Sequence, residues 1–284
     1  MERIQTAIDK ARKARTLQQG GTAAVLPTKK AKDALPLPKE VPRHDDADGW
    51  SALTRFDPKQ KFLEQKRIVA YQSAREALPF DVLRTRLLHE MRANKWRRVA
   101  ITSPNAGAGK TMTCVNLAFS LARQQDHRTM LIEMDMRRPS MAGVLGVKGT
   151  QQFSDALSGR SPVEDHMVRY GQNLAFALNQ TTARNPAELL QGAAAAQVID
   201  NIDANYQPDI MIFDLPPVFA SDDAMGFMDQ VDCALLIGEA EKTTIDEIDK
   251  CEQELAARTN VLGVILNKCR YLGSHEGDGN QYGY

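Results

Sequence analysis

The 284 residues carry 36 basic and 36 acidic side chains, a formal net charge of zero, which argues against bulk electrostatic binding of nucleic acid. Hydrophobic residues make up 43%, enough for one sizeable α/β core with extensions. With no run of 18 apolar residues and no apolar leader, no membrane-spanning helix is expected and the expected compartment is the cytoplasm. Cys114, Cys233, Cys251 and Cys269 are scattered without paired or metal-like spacing, so they read as reduced thiols, and the histidines are too dispersed for a metal site.

Along the chain, Ile4, Ala7, Ile8, Ala11, Ala14 and Leu17 recur at helical spacing among Lys10, Arg12, Lys13 and Arg15. That pattern predicts a basic amphipathic helix over 1–19, either solvated or docked on a partner or an anionic membrane surface. Pro27, Pro36, Pro38 and Pro42 then mark a flexible linker over 20–59, with Trp50, Leu53 and Phe56 expected to anchor it to the following domain. That domain is expected over 60–268. It opens with a helix carrying Phe80, Leu83, Leu87 and Met91, with Pro79 in its first turn. Beyond Trp96, apolar runs predict strands over 99–102, 130–134, 174–178, 209–213, 233–237 and 261–266. Between them, helical patterns cover 110–124, 186–204, 222–228 and 243–258. Short apolar strands with helices on both faces indicate a three-layer α/β fold with a mainly parallel sheet, and such sheets bind ligands at the carboxyl ends of their strands.

The most informative stretch is Ser103-Pro-Asn-Ala-Gly-Ala-Gly-Lys-Thr-Met112, between the first of these strands and its helix. Gly107 and Gly109 allow a tight turn, and the amides from Ala106 through Gly107, Ala108, Gly109, Lys110 and Thr111 to Met112 would point into one anion-binding concavity. Lys110 adds a full charge and Thr111 a hydroxyl suited to Mg²⁺. The strand over 209–213 leads into Asp214, and the one over 130–134 carries Glu133 and lies next to Asp135. Asp214 and Asp135 can hold Mg²⁺ with Thr111. Glu133 and Asp135, two apart, are expected to face one side of an extended strand, with a metal–nucleotide offsetting their charge. After residue 268 comes a glycine-rich tail, 269–284, that cannot pack a core yet carries Tyr271, Tyr282 and Tyr284.

Residues 102–111, 131–139 and 209–218 resemble the three nucleotide motifs of the bacterial tyrosine kinases, the polysaccharide-associated BY-kinase family. Asn185-Pro-Ala-Glu-Leu-Leu190 and Gly263-Val-Ile-Leu-Asn-Lys268 add to the resemblance. It implies a P-loop fold related to the deviant Walker ATPases and an ATP- and Mg²⁺-dependent tyrosine autokinase acting in extracellular polysaccharide synthesis or export. Lys110, Glu133, Asp135 and Asp214 would be its catalytic residues, with an acid at the Glu133/Asp135 position taking the tyrosine proton. Asn267 would contact the base, and Arg270, where a guanine-reading aspartate would stand, favours ATP. Tyr271, Tyr282 and Tyr284 would be phosphorylated in trans. Implied partners are a membrane polysaccharide co-polymerase that recruits the chain to the inner face of the membrane, and a phosphotyrosine phosphatase. The chain departs from the pattern at Glu133, where Asp is usual, and at Ala108, where an acid is common. Leu78, Asp81 and Arg84 stand on the family's Glu-x-x-Arg-x-x-Arg ring motif, so only Arg84 is retained and self-association by that motif is incomplete. The alternatives are a partition or division ATPase, whose signature lysine is replaced by Asn105, and a non-catalytic ATP-gated adaptor.

Overall fold

The computed structural model describes residues 49–270; the expected N-terminal helix, most of the expected linker and Tyr271, Tyr282 and Tyr284 lie outside the described residues. Eight strands form one sheet: β1 (Thr54–Arg55), β2 (Arg98–Thr102), β3 (Thr129–Glu133), β4 (Met167–Tyr170), β5 (Leu174–Ala177), β6 (Ile210–Asp214), β7 (Cys233–Glu239) and β8 (Asn260–Asn267). Their spatial order is β1-β4-β5-β3-β6-β2-β7-β8. Every neighbouring pair is parallel except the β4–β5 hairpin. Parallel strands need crossover helices, and these cover both faces of the sheet.

Alternation along the strands assigns the side chains to two cores. Val99 and Ile101 of β2 and Leu131 of β3 pack with helices α1 (Leu78–Asn94) and α2 (Lys110–Ala122). Ala100, Met130 and Ile132 face the other way, onto α3 (Ala193–Tyr206) and the Cys251 and Leu255 side of α4 (Ile245–Ala256). The Thr244 hydroxyl and the Glu247 carboxylate close a capping box that fixes the start of α4.

The ordered domain begins earlier than the linker boundary at 59 implies. Trp50 and Leu53 are 2% and 3% exposed, and the Trp50 indole donates to the Tyr206 carbonyl at 2.5 Å. Thr54 and Arg55 then pair with β4, and the Phe56 amide donates to the Arg169 carbonyl at 2.7 Å. The apolar triplet thus anchors the segment as expected, and its burial outweighs the linker-like composition around it. The helix expected over 186–204 is broken at Gly192, whose ψ of 141° is extended, giving Pro186–Gln191 and then α3.

Helices α1 and α2 are joined by a polar clamp. Asp81 accepts from Ser120 Oγ at 2.6 Å and Arg123 at 2.8 Å, while Arg84 donates to the Ser120 carbonyl at 2.9 Å. Burial opposes ionisation of Asp81, but Arg123, Ser120 and Arg84 outweigh it and hold the carboxyl below its ordinary pKa. Arg84, the retained member of the ring motif, is therefore engaged inside its own chain.

Candidate nucleotide and metal site

The β2–α2 loop takes its shape from Gly107 and Gly109, whose φ values of 88° and 92° are left-handed. A side chain at Gly109 would run into the Asn267 amide. The backbone amides from Ala106 to Met112 donate to no other described residue. They form, with the positive end of α2, an open set of anion donors. Lys110, 7% exposed, lies at the first position of the helix.

The end of β8 braces the loop. Asn267 Nδ2 donates to the Ala108 carbonyl at 2.8 Å and Lys268 Nζ to the Gly107 carbonyl at 2.6 Å. Glu239 holds Lys268 at 3.2 Å and Lys242 at 2.6 Å. Asn267 was expected on the base; in this geometry its amide group holds the loop. Asn105, in the signature-lysine position, donates to Glu247 of α4 at 2.7 Å.

Beside the loop stand the ends of two adjacent strands. Glu133 of β3 and Asp214 of β6 are register partners, and neither is exposed to solvent. Asp214 Oδ2 accepts from Thr111 Oγ1 at 2.6 Å, its buried Oδ1 makes no hydrogen bond of ordinary geometry among the described residues, and the Cys114 thiol is the other polar group beside the carboxylate. Burial pushes the Asp214 carboxyl up to about 6, opposed chiefly by the Thr111 hydroxyl and the Lys110 charge. Burial also raises Asp135, again opposed by Lys110.

The two acids of the β3 segment do not share a strand face. β3 ends at Glu133, and the amides of Met134 and Asp135 both turn to the Asp214 carbonyl, at 2.9 and 3.0 Å. The Glu133 carboxylate instead accepts three backbone amides: Ser140 and Met141 on Oε1 at 2.6 and 2.8 Å, and Asn179 on Oε2 at 3.0 Å. Burial pushes its pKa up to about 7 despite these bonds, and the Asp214 charge adds to the rise. Asp135, partly exposed, accepts the Arg138 amide at 3.1 Å.

Sequence reasoning missed four participants: Ser140, Asn179, and the paired Arg137 and Asp223. Arg137 grips the buried Asp223 through two guanidinium bonds of 2.5 and 3.0 Å, tying the loop after β3 to the segment after β6. Only Arg137 had a local signal, as a cation two residues beyond Asp135.

A divalent cation with oxygen preference fits this donor set. An orphaned buried carboxylate oxygen costs free energy, and Asp214 Oδ1 lies on the carboxylate that also binds Thr111. Thr111, Asp135 and Asp214 would hold Mg²⁺, with phosphate and water completing its shell. Among the described residues no three His, Cys, Asp or Glu side chains cluster as an all-protein metal site, and no helix is long and apolar enough to cross a membrane.

The raised Glu133 pKa has a consequence for stability. The folded form binds the proton more tightly, so this stability is fully present below about pH 4.5 and is lost as pH rises through about 7. In Mg²⁺-free protein we expect the thermal midpoint to fall by about 5 °C between those limits, and Glu133→Gln to flatten that slope. An unchanged slope in a melting series across pH would refute the assignment.

Comparison with known proteins identifies the family and the fold. A family model described as ParA, the NUBPL iron-transfer P-loop NTPases, matches residues 95–282. The tyrosine-protein kinase CpsD of Streptococcus agalactiae is 30% identical over 207 residues, covering 72% of this chain and 88% of that one. The putative tyrosine-protein kinase AmsA of Erwinia amylovora is 28% identical over 204 residues, 71% of this chain, yet the chain spans only 27% of that longer protein. The kinase domain of the Escherichia coli tyrosine kinase ETK superposes with a TM-score of 0.63 at 27% identity, over 72% of this chain and 79% of that one. The residues matched by the family model include the loop, both acid-ended strands and the bracing β8. The chain belongs to the bacterial tyrosine-protein kinases, a family built on the ParA-type P-loop NTPase fold.

Proposed function

We propose that this chain transfers phosphate from ATP to tyrosine hydroxyls, with Tyr282, Tyr284 and Tyr271 of a second copy as acceptors, in the production or export of an extracellular polysaccharide. The observation that carries the reading is the Thr111–Asp214 pair with its unpartnered carboxylate oxygen, set beside unsatisfied loop amides and Lys110. Phosphoryl transfer asks mainly for alignment and charge neutralisation. The loop amides and Lys110 would neutralise phosphate charge, Thr111, Asp135 and Asp214 would hold Mg²⁺, and bound Mg²⁺ would supply further neutralisation. A tyrosine hydroxyl, with a pKa near ~10, needs a proton acceptor at neutral pH. Of the two candidate acids Asp135 suits that role, because both Glu133 oxygens already accept backbone amides. Asn105, held by Glu247, supports this reading over a partition ATPase that needs a lysine there.

The chain would act in the cytoplasm at the inner face of the membrane. A polysaccharide co-polymerase would activate it there and a phosphotyrosine phosphatase would reverse the modification. Phosphosite mass spectrometry of the full chain, incubated with ATP and Mg²⁺ with and without a candidate activator, tests this directly. Tyr282 and Tyr284 should carry most of the label, and their replacement by phenylalanine should remove it. Undiminished labelling of that variant would place the acceptors elsewhere. No phosphotyrosine under either condition would leave the ATP-gated adaptor or the partition-type ATPase.

A further inference from the structure

Ser140 is exposed and stands outside every motif read from the sequence, yet its hydroxyl lies 3.3 Å from Thr111 Oγ1. Its own amide is held at 2.6 Å by Glu133, a residue fully shielded from solvent, and Glu133 also fixes the next amide, Met141, at 2.8 Å. A continuous path therefore runs from Glu133 through the Ser140 backbone and hydroxyl to Thr111 Oγ1, and on to Asp214 Oδ2 at 2.6 Å.

The donor and acceptor count along this path is restrictive. A threonine hydroxyl has one proton and two lone pairs. The proton goes to Asp214, since an ionised carboxylate only accepts. Ser140 then donates into one lone pair, which leaves a single lone pair on Thr111 Oγ1 for a cation. We propose that Glu133 and Ser140 are positioning residues for the metal site, setting the rotation of the Thr111 hydroxyl so that its one remaining lone pair is presented to Mg²⁺. The extra methylene of Glu133, relative to an aspartate, lets its carboxylate reach the amides of residues 140 and 141 from the end of β3. The proposal rests on reading the loop as a Mg²⁺–nucleotide site, and not on which group finally receives phosphate.

The test is binding rather than turnover. The affinity of full-length protein for a fluorescent ADP analogue is measured in Mg²⁺ and in EDTA, for wild type, Ser140→Ala, Ser140→Thr and Glu133→Asp. Wild-type binding should tighten when Mg²⁺ is present. Ser140→Ala should shrink that tightening about three- to tenfold, the scale of one hydrogen bond, and leave the EDTA value within about twofold. Ser140→Thr keeps the hydroxyl and should restore the Mg²⁺ effect. Glu133→Asp, too short to hold both amides, should resemble Ser140→Ala. An unchanged Mg²⁺ effect in Ser140→Ala overturns the proposal, and so does an equal loss in Mg²⁺ and EDTA. Absence of nucleotide binding by the wild type would instead overturn the site reading itself. Binding without phosphotyrosine formation would defeat only the kinase reading.

Discussion

Replacing Lys110 with methionine should abolish detectable phosphotyrosine formation, a fall of at least about a hundredfold, the scale lost when one preorganised electrostatic donor is removed. Methionine keeps an unbranched stem at a position that is 7% exposed, so the helix start can remain packed while the ammonium is lost. Two consequences follow. The phosphate loses a full positive charge, and Asp135 and Asp214 lose the cation that opposes their protonation. Higher proton affinity makes Asp135 a stronger base but leaves less of it ionised, so the expected loss rests on the missing charge at the phosphate. Circular dichroism should match the wild type, and labelling with radioactive ATP reads the loss. Wild-type labelling by the folded variant would show that Lys110 has no role in transfer.

Asp214→Asn should move function and stability in opposite directions. Asparagine can still accept the Thr111 hydroxyl bond, but it removes the charge, and Mg²⁺-dependent labelling should fall about a hundredfold or more. The same change relieves a buried carboxylate whose pKa is pushed up to about 6 and whose Oδ1 has no partner. The new amide nitrogen would itself be buried, which offsets part of that relief. In Mg²⁺-free buffer above pH 7 the variant should therefore be more stable by about 1 kcal/mol, and below about pH 4 that advantage should be lost as the wild-type acid protonates. Paired melting curves at the two pH values decide it. A variant less stable than wild type at high pH would mean that something in the folded protein already compensates the charge. Strain or unsatisfied charge at a site that binds a cation is a common exchange of stability for function.

The parts of the site that sequence alone made legible are those with a local signature. A β-branched strand, two glycines and an apolar helix define the β2–α2 turn within a dozen residues, and an apolar run closed by an acid marks β6. What escaped depends on partners far apart in the chain. Arg137 and Asp223 are separated by 86 positions, and nothing near Asp223 distinguishes it from Asp222. The role of Glu133 escaped for a different reason. Its partners are backbone amides of Ser140, Met141 and Asn179, which any residue but proline could supply. The spacing rule that paired it with Asp135 assumed the strand continued, and β3 stops two residues short of that aspartate. β1 was hidden by its two-residue length, and β4, Met-Val-Arg-Tyr, lacks the apolar run of the buried strands because it lies near an edge and forms a hairpin.

The sheet order separates the places where the two terminal segments attach. The segment before Gly49 enters at the Trp50–Tyr206 anchor ahead of the edge strand β1, and the segment after Arg270 leaves from β8, the opposite edge strand, next to the loop that Asn267 and Lys268 brace. Eight strands leave seven gaps, which puts β1 and β8 roughly 30–35 Å apart across the sheet. Deletion of residues 1–48 and deletion of residues 271–284 can thus be treated as independent operations, and a double deletion should show the sum of their effects.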